Sequence, residues 1–125
     1  MLAARGAALL AVLALAACAP NANSANGAQG AADATTKAVY NDDASSVTQN
    51  FDDALRNQVT RSELGILSDQ MHKMGDYHGL TFVTSDPNKS EYTYRAGFTK
   101  GAMNVVVRLD TDGKFSAYRV FPPAQ

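Results

Sequence analysis

One cysteine, two histidines, five tyrosines and twelve carboxylates are the groups in this 125-residue chain that could do chemistry. Cys18 alone permits neither an intramolecular disulfide nor a multi-thiolate zinc site. Asp110-x-Asp112-Gly113 has the opening spacing of a calcium loop, but the twelfth position counted from Asp110 is Phe121, where a bidentate carboxylate is needed. The same residues read as a hairpin turn. His72 falls near a helix end and His78 near a strand start, so the two need not converge on a metal. Acid–base catalysis needs a carboxylate held in an apolar cavity. The central strand residues Tyr92, Tyr94, Arg95, Arg108 and Tyr118 include no acid; Glu91 lies near a strand end, and Asp86, Asp110 and Asp112 lie in turns. No serine has a nucleophile-elbow setting. No catalytic residue, metal or cofactor is therefore expected. Tyr92 and Tyr94, on one side of a strand, are the candidates to face a ligand, although tyrosines at period two also simply build sheets. Met71 and Met74 read as core residues rather than a soft-metal site.

Cys18 gains meaning from what precedes it. Arg5 supplies a positive start, and Gly6 to Ala17 is an uninterrupted apolar run of 12 residues. A helix needs about 20 to span a bilayer, whereas 12 suits the apolar region of a signal peptide. Leu15-Ala16-Ala17-Cys18 then resembles the lipobox of bacterial lipoproteins: a branched apolar residue, two small residues and a cysteine. The resemblance implies that residues 1–17 are removed and that the Cys18 thiol takes acyl chains such as palmitate. Cys18 is thus the expected lipidation residue, and the membrane, reached through it, is the first expected partner. Ala19 follows, where an Asp would favour retention in the inner membrane of enterobacteria, so the expected location is the periplasmic face of the outer membrane.

The elements must be read around that anchor. Residues 18–32 hold the cysteine and a stretch, APNANSANGAQGAA, with no charged, aromatic or β-branched residue. Such a stretch buries little apolar surface, so a tether is expected, its 14 residues spanning about 20 Å. A single domain is expected over 33–123. A short helix over Asp33–Tyr40 precedes an Asn41-Asp42-Asp43 turn. A second helix carries Val47, Phe51, Ala54 and Leu55 on one stripe. Thr60 and Glu63 form a capping box for a helix with Leu64, Leu67, Met71 and Met74 on one face, ended by Gly75. The period then changes to two, with strands over 77–84, 90–98, 102–109 and 114–121. Helices first and a meander after predict an α+β fold, with N-terminal helices packed on a curved four-stranded antiparallel sheet.

In its order of elements the chain resembles a small extracytoplasmic bacterial family of the nuclear-transport-factor-two-like superfamily, whose function is not assigned. The resemblance covers about residues 34–123. It rests on "FDDAL", "VTRSEL…MHKMGDY" and "YRAGFTKGAMNVVVRLDTDGKFSAYRVFPP": Thr60 and Leu64 before Gly75-Asp76-Tyr77, then Phe98-x-Lys100-Gly101, Asp112-Gly113-Lys114 and Phe121-Pro122. It implies a cone, a curved sheet wrapped on a helix, sometimes with a cavity in the concave face. The superfamily includes ketosteroid-isomerase-like enzymes, but fold does not fix function, and the short first helix and loops argue against a deep pocket.

Charge bounds the remaining partners. Lys and Arg number 11 against 12 Asp and Glu, which leaves no footprint for nucleic acid. Removing Arg5 with the leader leaves 10 basic and 12 acidic groups, a net of −2. Residues 33–76 hold eight acids and four bases, while Lys89, Arg95, Lys100, Arg108, Lys114 and Arg119 decorate the strands, too dispersed along the chain to read as a patch. The expected function is a non-catalytic interaction role for a lipid-anchored envelope protein, with another envelope protein as partner. The alternatives are a small apolar-ligand binding domain or an isomerase-like enzyme using the concave sheet.

Overall fold

The computed structural model describes residues 25–122. Residues 1–17, Cys18 and the first part of the expected tether lie outside the described residues. Among the described residues four helices come first: α1 (Ala25–Tyr40), α2 (Ala44–Thr48), α3 (Asp53–Gln58) and α4 (Arg61–Lys73). Four strands follow: β1 (Tyr77–Asp86), β2 (Glu91–Phe98), β3 (Gly101–Leu109) and β4 (Phe115–Phe121), with a 3₁₀ turn at Pro87–Lys89. The strands pair antiparallel in the order β1-β2-β3-β4, an open meander. The fold is α+β, as the change of period from 3.6 to two predicts.

Helix α1 corrects the expected boundary at residue 33. It begins at Ala25, so residues 25–32 belong to the folded unit rather than to a tether. Ala28, Ala32, Thr35, Thr36 and Val39 are buried, the i, i+4, i+7, i+8 and i+11 positions of one face. Alanine is the best helix former and carries almost no side-chain entropy to lose. Its small side chain lets the helix backbone approach the sheet closely. A composition without large apolar residues therefore does not exclude burial here.

The expected second helix is two. Asp52 adopts an extended conformation and its carboxylate caps α3 by accepting from Leu55 N at 2.8 Å. The chain between α2 and α3 is held to the start of β4, with Asp52 N donating to Phe115 O and Phe115 N donating to Asn50 O, both at 2.8 Å. Phe51 and Phe115 are thereby brought together and both are buried. The capping box forms as expected on the N-cap side: Glu63 N donates to Thr60 Oγ1 at 3.1 Å, while the Thr60 hydroxyl donates to Glu63 Oε1 at 2.9 Å. Gly75 ends α4 at φ +97, and a Cβ there would lie 2.7 Å from Thr99 Cβ. Both conformation and space therefore demand glycine.

The inner sheet face carries Tyr94, Ala96 and Phe98 from β2, Met103, Val105, Val107 and Leu109 from β3, and Phe115 from β4. Against it lie α1, Val47, Phe51, Leu55, Leu64 and Met71. Each large side chain fully buried here contributes about 1.5–3 kcal/mol. Because Ala32 is fully buried against this layer, Ala32→Asp should lower stability by about 3–5 kcal/mol. A urea melt of the variant checks this, and an unchanged midpoint would return residues 25–32 to the tether.

Candidate functional site

A concavity with polar lining lies between α1 and β1. Gln29, Gly30, Asp33, Gly79 and Leu80 line a cleft of about 470 Å³, and a neighbouring cleft of about 410 Å³ adds Lys37, Tyr77 and His78. Asp33 is common to both. One carboxylate oxygen, Oδ1, accepts from the Tyr77 hydroxyl at 2.6 Å, and the other, Oδ2, lies 4.0 Å from Lys37 Nζ. Gln29 Nε2 donates to Leu80 O at 3.1 Å. Burial first, and then the Asp33 carboxylate, hold the Tyr77 phenol well above the usual tyrosine range. Tyr77 is thus a neutral donor, unsuited to take a proton. Asp33 is partly open to solvent, with a cation beside it, and nothing encloses it in apolar surroundings. The arrangement fastens a helix to a strand.

Helix α1 repeats this along its length. Thr36 Oγ1 and the Tyr118 hydroxyl are 2.7 Å apart, and the Tyr40 hydroxyl donates to Gly75 O at 3.1 Å. The end of α1 is capped in turn from α4, whose Ser68 hydroxyl donates to Tyr40 O at 3.0 Å. His72 Nε2 lies 2.8 Å from the same oxygen, with its ring stacked on Tyr40 at 4.0 Å. His78 engages another partner, Thr99 Oγ1, at 3.1 Å. The two histidines are structural fittings at separate places.

Tyr92 and Tyr94, the residues expected to face a ligand, lie on the inner side of the sheet. Tyr94 is fully buried, its ring edge-on to Phe82 with centroids 6.1 Å apart. The reason is the sheet register: Tyr94 stands opposite Phe82 on one side and Val105 on the other, beneath the helices. Tyr92 is half-buried and packs against the same core. An apolar pocket lies between the segments flanking α3, helix α4 and β4, lined by Phe51, Val59, Glu63, Leu64, Leu67 and Tyr118. Its volume is about 150 Å³, below the roughly 300 Å³ typical of ligand sites.

Asp110 has its work in the turn: its Oδ1 accepts from Asp112 N and from Lys114 N, each at 2.9 Å. Met71 is buried and Met74 packs against the core, as their helix spacing predicts. Asp33, Tyr77 and Tyr118 were not singled out by the sequence as one group. Only the Asp33/Lys37 spacing of four is visible there; the rest depends on which strands α1 crosses. Compared with known protein families, curated proteins and solved structures, the chain matches none.

The tyrosines supply a pH test. Burial pushes Tyr94 up to about 12, with Tyr92 a lesser cause, and burial also raises Tyr118 against the lowering effect of its Thr36 hydrogen bond. Unfolded tyrosine titrates near 10. Above that value the unfolded chain loses protons that the folded chain keeps, so stability is full below pH 10 and falls as pH rises through 12. Tyr94→Phe should make this fall shallower by about 1.4 kcal/mol per pH unit. Urea titrations from pH 9 to 12 with an identical slope in the variant would refute it. Tyr77→Phe should cost about 1 kcal/mol at pH 7 through the lost Asp33 bond, read by a urea melt at that pH; an unchanged midpoint would refute it.

Proposed function

We propose that this chain is a bacterial cell-envelope lipoprotein whose small domain has a non-catalytic interaction role. The observation that carries the proposal is the position of the chain's one cysteine, Cys18, directly after Leu15-Ala16-Ala17 and a short apolar run. A thiol at that place takes lipid, and each buried methylene of an acyl chain contributes about 0.8 kcal/mol to membrane attachment. The outer membrane, periplasmic face, is the location this reading assigns. The order of helices and meander strands supports grouping the domain with the nuclear-transport-factor-two-like cones.

The filled interior supports the non-catalytic part. Tyr94 is buried, the apolar pocket beside Tyr118 is small, and Asp33 is engaged by Tyr77. Function then falls to the surface, where Phe82 and Val83 on the edge strand β1 are about half exposed. An edge strand offers unpaired main-chain groups to another chain, and these residues are the expected contact with an envelope protein.

Mass spectrometry of the purified mature protein should find a first residue at position 18 carrying acyl groups, and Cys18→Ser should abolish the added mass and membrane fractionation. A wild-type protein with an unmodified cysteine would overturn the anchor. A photo-crosslinking residue at Phe82 should capture one reproducible envelope protein in cells, and the same residue at Asp69 should not. Equal labelling from both sites would overturn the interaction surface.

A further inference from the structure

Three basic residues that are far apart in the chain share one surface of the sheet. Tyr94, Val105, Val107 and Tyr118 point into the core, so their strand neighbours point out. In the register of the sheet Arg95 stands opposite Asn104, Arg108 opposite Glu91 and Ala117, and Arg119 opposite Val106. Arg95, Arg108 and Arg119 therefore project from three adjacent strands on the outer face, and all three are exposed. A single carboxylate oxygen, Glu91 Oε2, lies between two of them, 3.0 Å from Arg108 and 3.6 Å from Arg119. Val106, opposite Arg119 in the register, is only 6% exposed although it stands on this face. Phe121 is 41% exposed on the same face, opposite Asn104. The helical layer carries the opposite charge: residues 33–76 hold eight acids and four bases.

We infer that the outer face of the sheet docks onto a membrane surface bearing anionic phospholipid, with Arg95, Arg108 and Arg119 facing the phosphates and Phe121 at the margin. Charge complementarity is the first reason. An anionic leaflet attracts this face and repels the helical layer, which sets one orientation of the domain. The second reason is the reach of the chain. Cys18 is seven residues from Ala25, the first described residue. Seven residues span at most about 25 Å. Helix α1 leaves the fold at the β1 side, where Gln29 is bonded to Leu80 O. Strand β2, which carries Arg95, is the next strand, about 5 Å away. A domain so attached can lay this face against the leaflet that holds its anchor. This inference rests on the envelope reading for the presence of the membrane, but the attraction itself needs no acyl chain.

The test uses the whole mature chain with Cys18→Ser, so that no lipid contributes, and sedimentation with vesicles. Vesicles of phosphatidylcholine with about one-third phosphatidylglycerol should carry the protein down in about 20 mM salt, and pure phosphatidylcholine vesicles should not. Binding should fall steeply towards 150 mM salt. Each arginine replaced should weaken it about five-fold, from about 1 kcal/mol per charge. Arg95→Gln with Arg119→Gln should thus cost about 25-fold, whereas Arg61→Gln in α4 should cost nothing. The substitutions are on exposed side chains, and the salt titration of the unsubstituted protein is independent of any variant. Equal binding to neutral vesicles, no binding at low salt, or insensitivity to Arg95→Gln with Arg119→Gln would overturn the inference. Displacement by millimolar inorganic phosphate, or binding to polyglutamate without binding to vesicles, would overturn the membrane as the occupant. These outcomes are separate from the mass of the mature N-terminus, which tests the anchor alone.

Discussion

The close seat of α1 on the inner face of the sheet is the constraint on which the rest depends. Ala28 and Ala32 bring the helix backbone near the strands at one end, while Thr35, Thr36 and Val39 continue the contact at the other. A helix face of such small groups cannot supply much apolar area by itself. It succeeds because interiors are close-packed, and small residues fit where the sheet already presents Tyr94, Val105 and Val107. The same seat sets the polar fittings. Gln29, Asp33, Thr36 and Tyr40 lie along α1 and meet, in turn, Leu80, Tyr77, Tyr118 and Gly75. Each of these four side chains thereby finds a partner, which avoids the cost of leaving it unsatisfied.

The same contacts build the polar clefts beside α1. Asp33 has a phenol on one oxygen and a lysine near the other. The three tyrosines with displaced titrations owe the shift chiefly to burial. Their hydroxyls belong to the packing of the two layers.

The meander has a second consequence. With one face given to the helices, every residue of opposite parity is sent to the other side. Strand β3 shows this most sharply: Val105 and Val107 are sealed in the core, while Asn104, Val106 and Arg108 stand on the outer face. The antiparallel register then sets Arg119 beside Val106 and Glu91 beside Arg108. The outer face becomes basic and the helical layer acidic, although the chain as a whole is near neutrality.

Local rules were enough to read much of this from the sequence. The Thr60/Glu63 cap, the left-handed Gly75, the Asp110–Gly113 turn and the alternation of the strands each depend on a few neighbouring residues, and so does the α+β order they imply. The proposed lipobox at Cys18 is also local, since the resemblance rests on four consecutive residues. The break between α2 and α3 was not legible, because it is made by main-chain bonds from residues 50 and 52 to Phe115, more than sixty positions away. Nor was the burial of Ala28 and Ala32, whose small side chains give little apolar signal and are covered because the sheet lies so near. Pairing Asp33 with Tyr77, sealing Tyr94, and gathering Arg95, Arg108 and Arg119 on one face all required the register of strands and the path of α1. Sequence determined the periodicities and caps because these are short-range effects of backbone geometry. The tertiary structure decided which faces meet, because that depends on packing between segments that share no neighbourhood along the chain.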